Sequence, residues 1–160
     1  TRENGQADES GHDFALRVEV ELRQLVRQRH DLALIVRYHP SEWHTFPRLA
    51  DEARVHFSVP SVNPIHDVIL ASTVVVVQNS TVGLESAVAG RPVISLEHAP
   101  SIARSFSLAG MGVSNACHAN HELPGLIDQA LRQSSDGPRY PRSDGLAAAR
   151  VAAVIGQTLF

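Results

Sequence analysis

The segment Ala71–Leu96 constrains the fold of this chain more than any other. Its centre, Val74 to Val77, is an unbroken run of β-branched residues, the pattern of a strand buried on both faces. Gln78, Asn79, Ser80 and Thr81 break the run with small polar groups, and Val82 to Ala89 is rich in helix formers. Gly90 supplies a helix stop and Pro92 opens a second apolar run, Val93 to Leu96. Strand, polar turn, helix, glycine and strand make a βαβ unit. The polar turn then lies where the carboxyl end of a strand meets the amino end of a helix, the place where open α/β sheets bind ligands.

The flanking sequence extends the same alternation. Thr1 to Gly11 is polar and acidic and reads as a frayed end or linker, leaving residues 12–160 as one domain. Phe14, Val18, Leu22, Leu25 and Val26 recur at helical spacing, which predicts an amphipathic helix ending near His30, with Arg17, Glu21, Arg23 and Arg27 on its other faces. Leu32 to Tyr38 reads as a strand stopped by Pro40, Glu42 to Ala53 as loop with a short helix, and Val55 to Val59 as a short strand. Helices are expected over Ile65–Ala71, Ser101–Ala109, His121–Gln133 and, Ala-rich, Leu146–Phe160. A short edge strand is expected over Gly112–Asn115, and a Ser/Pro/Gly loop over Ser134–Asp144. Strands alternating with helices, without hairpin signals, predict an α/β fold: a Rossmann-like open parallel sheet of about five strands with helices on both faces.

With 160 residues, 43% of them hydrophobic, the chain is long enough for one real core. A net charge of -3 argues against general nucleic-acid or membrane-surface binding. Cys117 is the only cysteine, which excludes a disulfide framework and a thiolate metal cluster; it reads as a small buried hydrophobe. No transmembrane run or signal peptide is visible, so a cytoplasmic location is expected. The only methionine is Met111, so Thr1 is not a natural translation start, and the chain is expected to be cut from something longer.

Two turns carry the residues suited to chemistry. Asn79, Ser80 and Thr81 precede a helix, where small polar side chains cap free N–H groups and where the same N–H groups suit a phosphate. Gly83, inside the first helical turn, costs on the order of 1 kcal/mol against Ala unless a close approach requires it. Glu85 stands one turn beyond Thr81, too far from Ser80 for a capping box; its carboxylate suits sugar hydroxyls as well as the helix dipole. In the other turn, Arg37 and His39 share a face at a strand end and offer a cation and a hydrogen-bond donor to a phosphate. Glu97 and His98 lie at a third strand end, expected beside the same cleft. The remaining histidines have no metal-ligand spacing, and no cofactor is implied. G-x-G-x-x-G, Walker A and G-x-S-x-G motifs are all lacking, which argues against NAD enzymes, P-loop NTPases and α/β hydrolases.

Asn79-Ser80-Thr81-Val82-Gly83-Leu84-Glu85 followed by Ala89-Gly90-Arg91-Pro92-Val93-Ile94 resembles a segment of bacterial capsule and surface-polysaccharide biosynthesis proteins, glycosyltransferases of the two-domain GT-B type. Arg37-Tyr38-His39-Pro40 looks like the His-Pro motif of bacterial sialyltransferases and of CDP-glycerol and capsule transferases. The resemblance covers Leu34–Pro40 and Pro64–Leu96, more loosely the region near Leu123, and implies one half of a GT-B architecture. It implies a nucleotide-sugar donor, CMP-, CDP- or UDP-linked, with His39, Ser80 and Thr81 as phosphate contacts and Glu85 as the ribose contact. It further implies a glycan or lipid-linked acceptor, a catalytic base on an amino-terminal domain this chain is too short to contain, and a full-length protein peripheral to the inner membrane. The donor-binding half would be catalytically incomplete alone.

Two alternatives stand beside this expectation. UDP-N-acetylglucosamine 2-epimerases share the frame of polar turn, glutamate and Gly-basic-Pro-Val. Their turn is typically Ser-Gly-Gly where this one is Asn-Ser-Thr, and their paired glutamates are Leu84-Glu85 here, which favours a transferase. The other alternative is a non-catalytic α/β binding module, in which Ser80 and Thr81 only cap a helix and no nucleotide binds.

Overall fold

The computed structural model describes residues 10–78, 80–99 and 107–134. Of the expected elements, most of the helix over Ser101–Ala109, all of that over Leu146–Phe160, nearly all of the loop over Ser134–Asp144 and the expected linker up to residue 9 lie outside them. The last two residues of that expected linker are structured instead: Ser10 caps the first helix and Gly11 begins it.

The first helix, α1 (Gly11–Gln28), starts where Ser10 Oγ accepts the backbone N–H of Asp13 at 3.1 Å, with the Asp13 carboxylate in the first turn and Arg27 in the last. Strands β1 (Leu34–Val36) and β2 (Val55–Phe57) pair in parallel, with Leu34 opposite Val55. Helix α2 (Ile65–Ala71) leads into β3 (Val75–Val77), and α3 (Val82–Val88) connects β3 to β4 (Val93–Leu96). Strand β5 (Asn115–Cys117) is followed by one turn of 3-10 helix at Asn120–Glu122 and by α4 (Leu123–Ser134). Gly90, at φ 76°, makes the expected stop after α3. Gly112, at φ 73°, forms a left-handed turn where a strand was expected to begin, so β5 starts later, at Asn115.

The α/β class with parallel strands is as expected, but one sheet of about five strands is not what forms. The strands make a two-stranded sheet, β1-β2, and a three-stranded sheet, β3-β4-β5. Apolar runs specify burial; they do not specify which strand edges pair, and each ladder here spans only three residue pairs. Packing unites the two sheets, through α1.

In the three-stranded sheet the pleat sorts side chains by parity. Val74, Val76, Ile94 and Leu96 face α1 and α4, where they meet Phe14, Val18, Leu123, Ile127 and Ala130. Val75, Val77 and Val93 face the other way, onto Ala87 of α3 and onto Leu108. Helices therefore cover both faces of this sheet. Phe14 and Ile94 are fully buried, and burial of each such side chain is worth about 1.5–3 kcal/mol. The same helix α1 turns Ala15 and Leu16 onto a separate aromatic cluster of Tyr38, Trp43 and Phe46, backed by Val36 and Phe57 of the two-stranded sheet. Among the described residues no helix is long and apolar enough to cross a membrane.

Candidate functional site

The chain leaving β1 splits three consecutive side chains among three environments. Arg37 turns to the loop after β2, where its Nη1 donates to Ser58 Oγ at 2.6 Å and to the Asn63 carbonyl at 2.8 Å. Tyr38 turns inward and stacks on Phe46 with ring centroids 4.3 Å apart. His39 is exposed. Its Nδ1 accepts the backbone N–H of Ser41 at 3.3 Å and lies 2.7 Å from Ser41 Oγ. A backbone N–H can only donate, so the neutral ring carries its proton on Nε2, which is left as an outward donor. The His39 carbonyl accepts from the N–H groups of Glu42 and Trp43, at 2.9 and 3.1 Å, which fixes the turn that follows.

Beside His39 lies a cleft of about 280 Å³, lined by Pro40, Trp43 and His44 from the loop after β1 and by Pro60 and Ser61 from the loop after β2. It occupies the carboxyl ends of two parallel strands, the expected edge of the sheet. Trp43 is buried and carries the Arg48 guanidinium over its ring at 4.8 Å.

The second expected turn follows β3. Asn79 lies outside the described residues. Ser80 Oγ accepts the backbone N–H of Val82 at 3.2 Å, a capping bond. Thr81 is exposed, its hydroxyl makes no cap bond, and its carbonyl accepts from the Glu85 N–H at 3.1 Å. Gly83 has a packing reason: a Cβ there would stand 2.5 Å from Leu108 Cδ1 and 3.2 Å from Val77 Cγ2. The close approach it permits is to the core. The Glu85 carboxylate is partly exposed and lies 3.7 Å from Nε2 of the exposed His66 on α2.

Arg37 and His39, expected to share a face, are therefore separated: Arg37 turns to Ser58 and Asn63, while His39 stays exposed in the turn before the cleft residue Pro40. Ser80, Thr81, Gly83 and Glu85 belong to a second turn, after β3. Among the described residues no hydrogen bond or ion pair joins Arg37 or His39 to Ser80, Thr81 or Glu85. His98 does not face the cleft as expected. It packs edge-on against Phe14 at 5.1 Å, with Nδ1 2.9 Å from the Cys117 carbonyl and Nε2 2.6 Å from Asn120 Oδ1, while Asn120 Nδ2 donates to Glu21 of α1. Both ring nitrogens are spent on structure, on the α1 face of the sheet. Glu97 Oε1 is likewise occupied, accepting from Ser95 Oγ at 2.7 Å and Ser107 Oγ at 3.1 Å. Cys117 is fully buried, as expected, and burial pushes its thiol up from the ordinary range, away from nucleophile chemistry.

The cleft residues Trp43, His44, Pro60 and Ser61 were not foreseen. The available signal is Trp43 with His44 three residues after a strand-ending proline, in a stretch that reads as loop with a short helix. Chemically, the turn after β1 and the cleft combine an outward N–H donor with an apolar, proline-walled recess, a combination suited to a flat ring carrying an anionic substituent. Among the described residues no three His, Cys, Asp or Glu side chains are gathered to hold a metal ion.

Comparison of the chain with protein-family models, with curated proteins and with solved structures finds no significant match.

Proposed function

We propose that this chain is the donor-binding domain of a glycosyltransferase of bacterial surface-polysaccharide biosynthesis, one half of a GT-B architecture. The observation that carries the proposal is His39, held with its Nε2 donor outward in the turn after β1, directly before Pro40 of the cleft on the carboxyl ends of β1 and β2. In this reading His39 donates to a phosphate oxygen of a CMP-, CDP- or UDP-sugar, and the nucleobase enters the recess of Pro40, Trp43, His44, Pro60 and Ser61. Arg37 holds the β2 loop in place through Ser58 and Asn63 and adds a permanent positive charge behind the phosphate. Asn79, Ser80 and Thr81 supply further polar contacts from the turn after β3, and Glu85 accepts from the ribose, exchanging His66 for a sugar hydroxyl.

Stabilisation of the charge developing on the leaving nucleotide is the chemistry such a set supplies, and it is usually the largest catalytic term. The acceptor, a glycan or lipid-linked sugar, and the base that activates it belong to a further domain. Nuclear magnetic resonance of the 160-residue chain with CMP, CDP, UDP and their sugars tests the proposal, with His39→Ala, Ser80→Ala and Glu85→Ala alongside. Saturation transfer to a nucleotide, lost in His39→Ala, is the expected result; no transfer to any nucleotide overturns it.

A second reading, a non-catalytic α/β binding module, draws on the turn after β3. The capping bond of Ser80 and the packing of Gly83 against Leu108 explain both residues without a ligand.

A further inference from the structure

Two charged side chains of α1 are buried where an amphipathic helix ordinarily buries only apolar ones: Glu19 is 5% exposed and Arg23 2%. Both Glu19 oxygens are used. Oε1 accepts from Arg23 Nε at 2.8 Å, with Nη2 equally near in the same ion pair, and Oε2 accepts from the Tyr38 hydroxyl at 2.6 Å. Arg23 Nη1 continues to the Ala50 carbonyl at 2.8 Å and to Glu52 Oε2 at 3.3 Å, and the guanidinium lies over the Phe57 ring at 5.6 Å. A well-packed apolar pair of similar volume is often at least as stable as a buried ion pair, so the pair is better explained by the single arrangement it imposes than by stability.

That arrangement is a clamp on the segment bearing the candidate site. Tyr38 is the residue directly before His39, and Ala50 and Glu52 stand at the far end of the same loop. Between the two grips lie His39 and, forming one edge of the cleft, Pro40, Trp43 and His44. The Tyr38–Phe46 stack braces the middle. Loss of the Tyr38–Glu19 bond frees the ring adjoining His39 to shift, and with it the bond of His39 Nδ1 to Ser41.

We propose that Glu19, Arg23 and Tyr38 are positioning residues that hold the His39 turn and the Trp43 wall of the cleft in their ligand-ready arrangement. The proposal rests on the reading of the His39 turn as the ligand-facing element.

Trp43 is the only tryptophan of the chain, so its fluorescence reports this loop alone. The test compares wild type with Tyr38→Phe, which keeps the ring stack, with Glu19→Gln, and with Arg23→Lys, which keeps the charge but not the forked donors. Acrylamide quenching of Trp43, the ring ¹⁵N shifts of His39 and far-UV circular dichroism are measured on each. In folded Tyr38→Phe the expected results are faster quenching and His39 nitrogens moving from the Nε2–H pattern towards an average. Nucleotide affinity is expected to fall about five- to tenfold, the worth of roughly one hydrogen bond. Trp43 quenching and His39 shifts unchanged in folded Tyr38→Phe overturn the proposal, whether or not Glu19→Gln and Arg23→Lys fold. Absence of nucleotide binding by wild type overturns the donor reading instead, and the two spectroscopic readouts still decide the positioning role.

Discussion

At Gly83 a single hydrogen decides how closely α3 meets the sheet. Alanine there gains about 1 kcal/mol of helix propensity, but its Cβ meets Leu108 Cδ1 at 2.5 Å in a side chain only 2% exposed. Overpacking of this kind costs about 1–3 kcal/mol, so Gly83→Ala is expected to be net destabilising in urea unfolding, and its cost should shrink when measured in a Leu108→Ala background. A stabilised Gly83→Ala protein would contradict the packing account. Tyr38 makes a second prediction. Burial first, and the hydrogen bond to Glu19 second, raise its hydroxyl above the ordinary tyrosine range. A raised folded value means that this contribution to stability is intact below about pH 10 and is lost as pH rises beyond it. Tyr38→Phe should remove part of that alkaline slope; an unchanged slope would place its origin elsewhere. Both residues show the limit of reading a sequence. Gly83 is visibly anomalous inside a helix, but the residue that makes it necessary, Leu108, lies far along the chain. Arg23 reads as an outer-face residue because its partners, Ala50 and Glu52, come from a loop with no period.

Among the elements, α1 is the most legible, because its apolar stripe repeats over many turns; its start is not, since Ser10 and Gly11 read as linker and instead cap and begin the helix. Ile65–Ala71 and Val93–Leu96 form the expected helix and strand with the expected limits. The strands before them were overestimated: the run Leu32–Tyr38 contracts to Leu34–Val36 because Arg37 and Tyr38 turn to Ser58 and Phe46. The ends of the elements are also where charge matters. The Arg27 hydrogen bonds hold Glu52 below the usual carboxylate range, Arg29 does the same for Asp31, and the His118 N–H for Glu122. Depressed folded values contribute stability that is present above the unfolded values and lost as pH falls through the folded ones. Stability should therefore decline below about pH 4, and Glu52→Gln should make that acid decline shallower. An acid limb identical in Glu52→Gln would contradict the assignment to Glu52.

At the scale of the whole molecule, two small sheets are joined by one helix that contributes to the hydrophobic clusters of both. If α1 couples them, urea unfolding followed by Trp43 fluorescence, which reports the aromatic cluster, should coincide with unfolding followed by far-UV circular dichroism. An earlier Trp43 transition would show the two-stranded unit melting alone. Phe14→Ala should lower the common transition by about 3–5 kcal/mol. The division into two sheets was not legible, since the apolar pattern of β1 and β3 is the same whether or not their edges pair. Of the site, the turns after β1 and β3 were legible as strand ends, whereas the cleft was not, because its walls come from loops separated in sequence and united by folding. Whether this edge holds a nucleotide-sugar donor, as proposed, is decided by isothermal titration of the 160-residue chain with CMP, CDP and UDP. Saturable binding of at least one nucleotide is expected, weakened about tenfold or more by loss of the charge-assisted bond in a folded His39→Ala variant. Heat of binding for none of the three, or binding untouched by His39→Ala, would contradict the proposal.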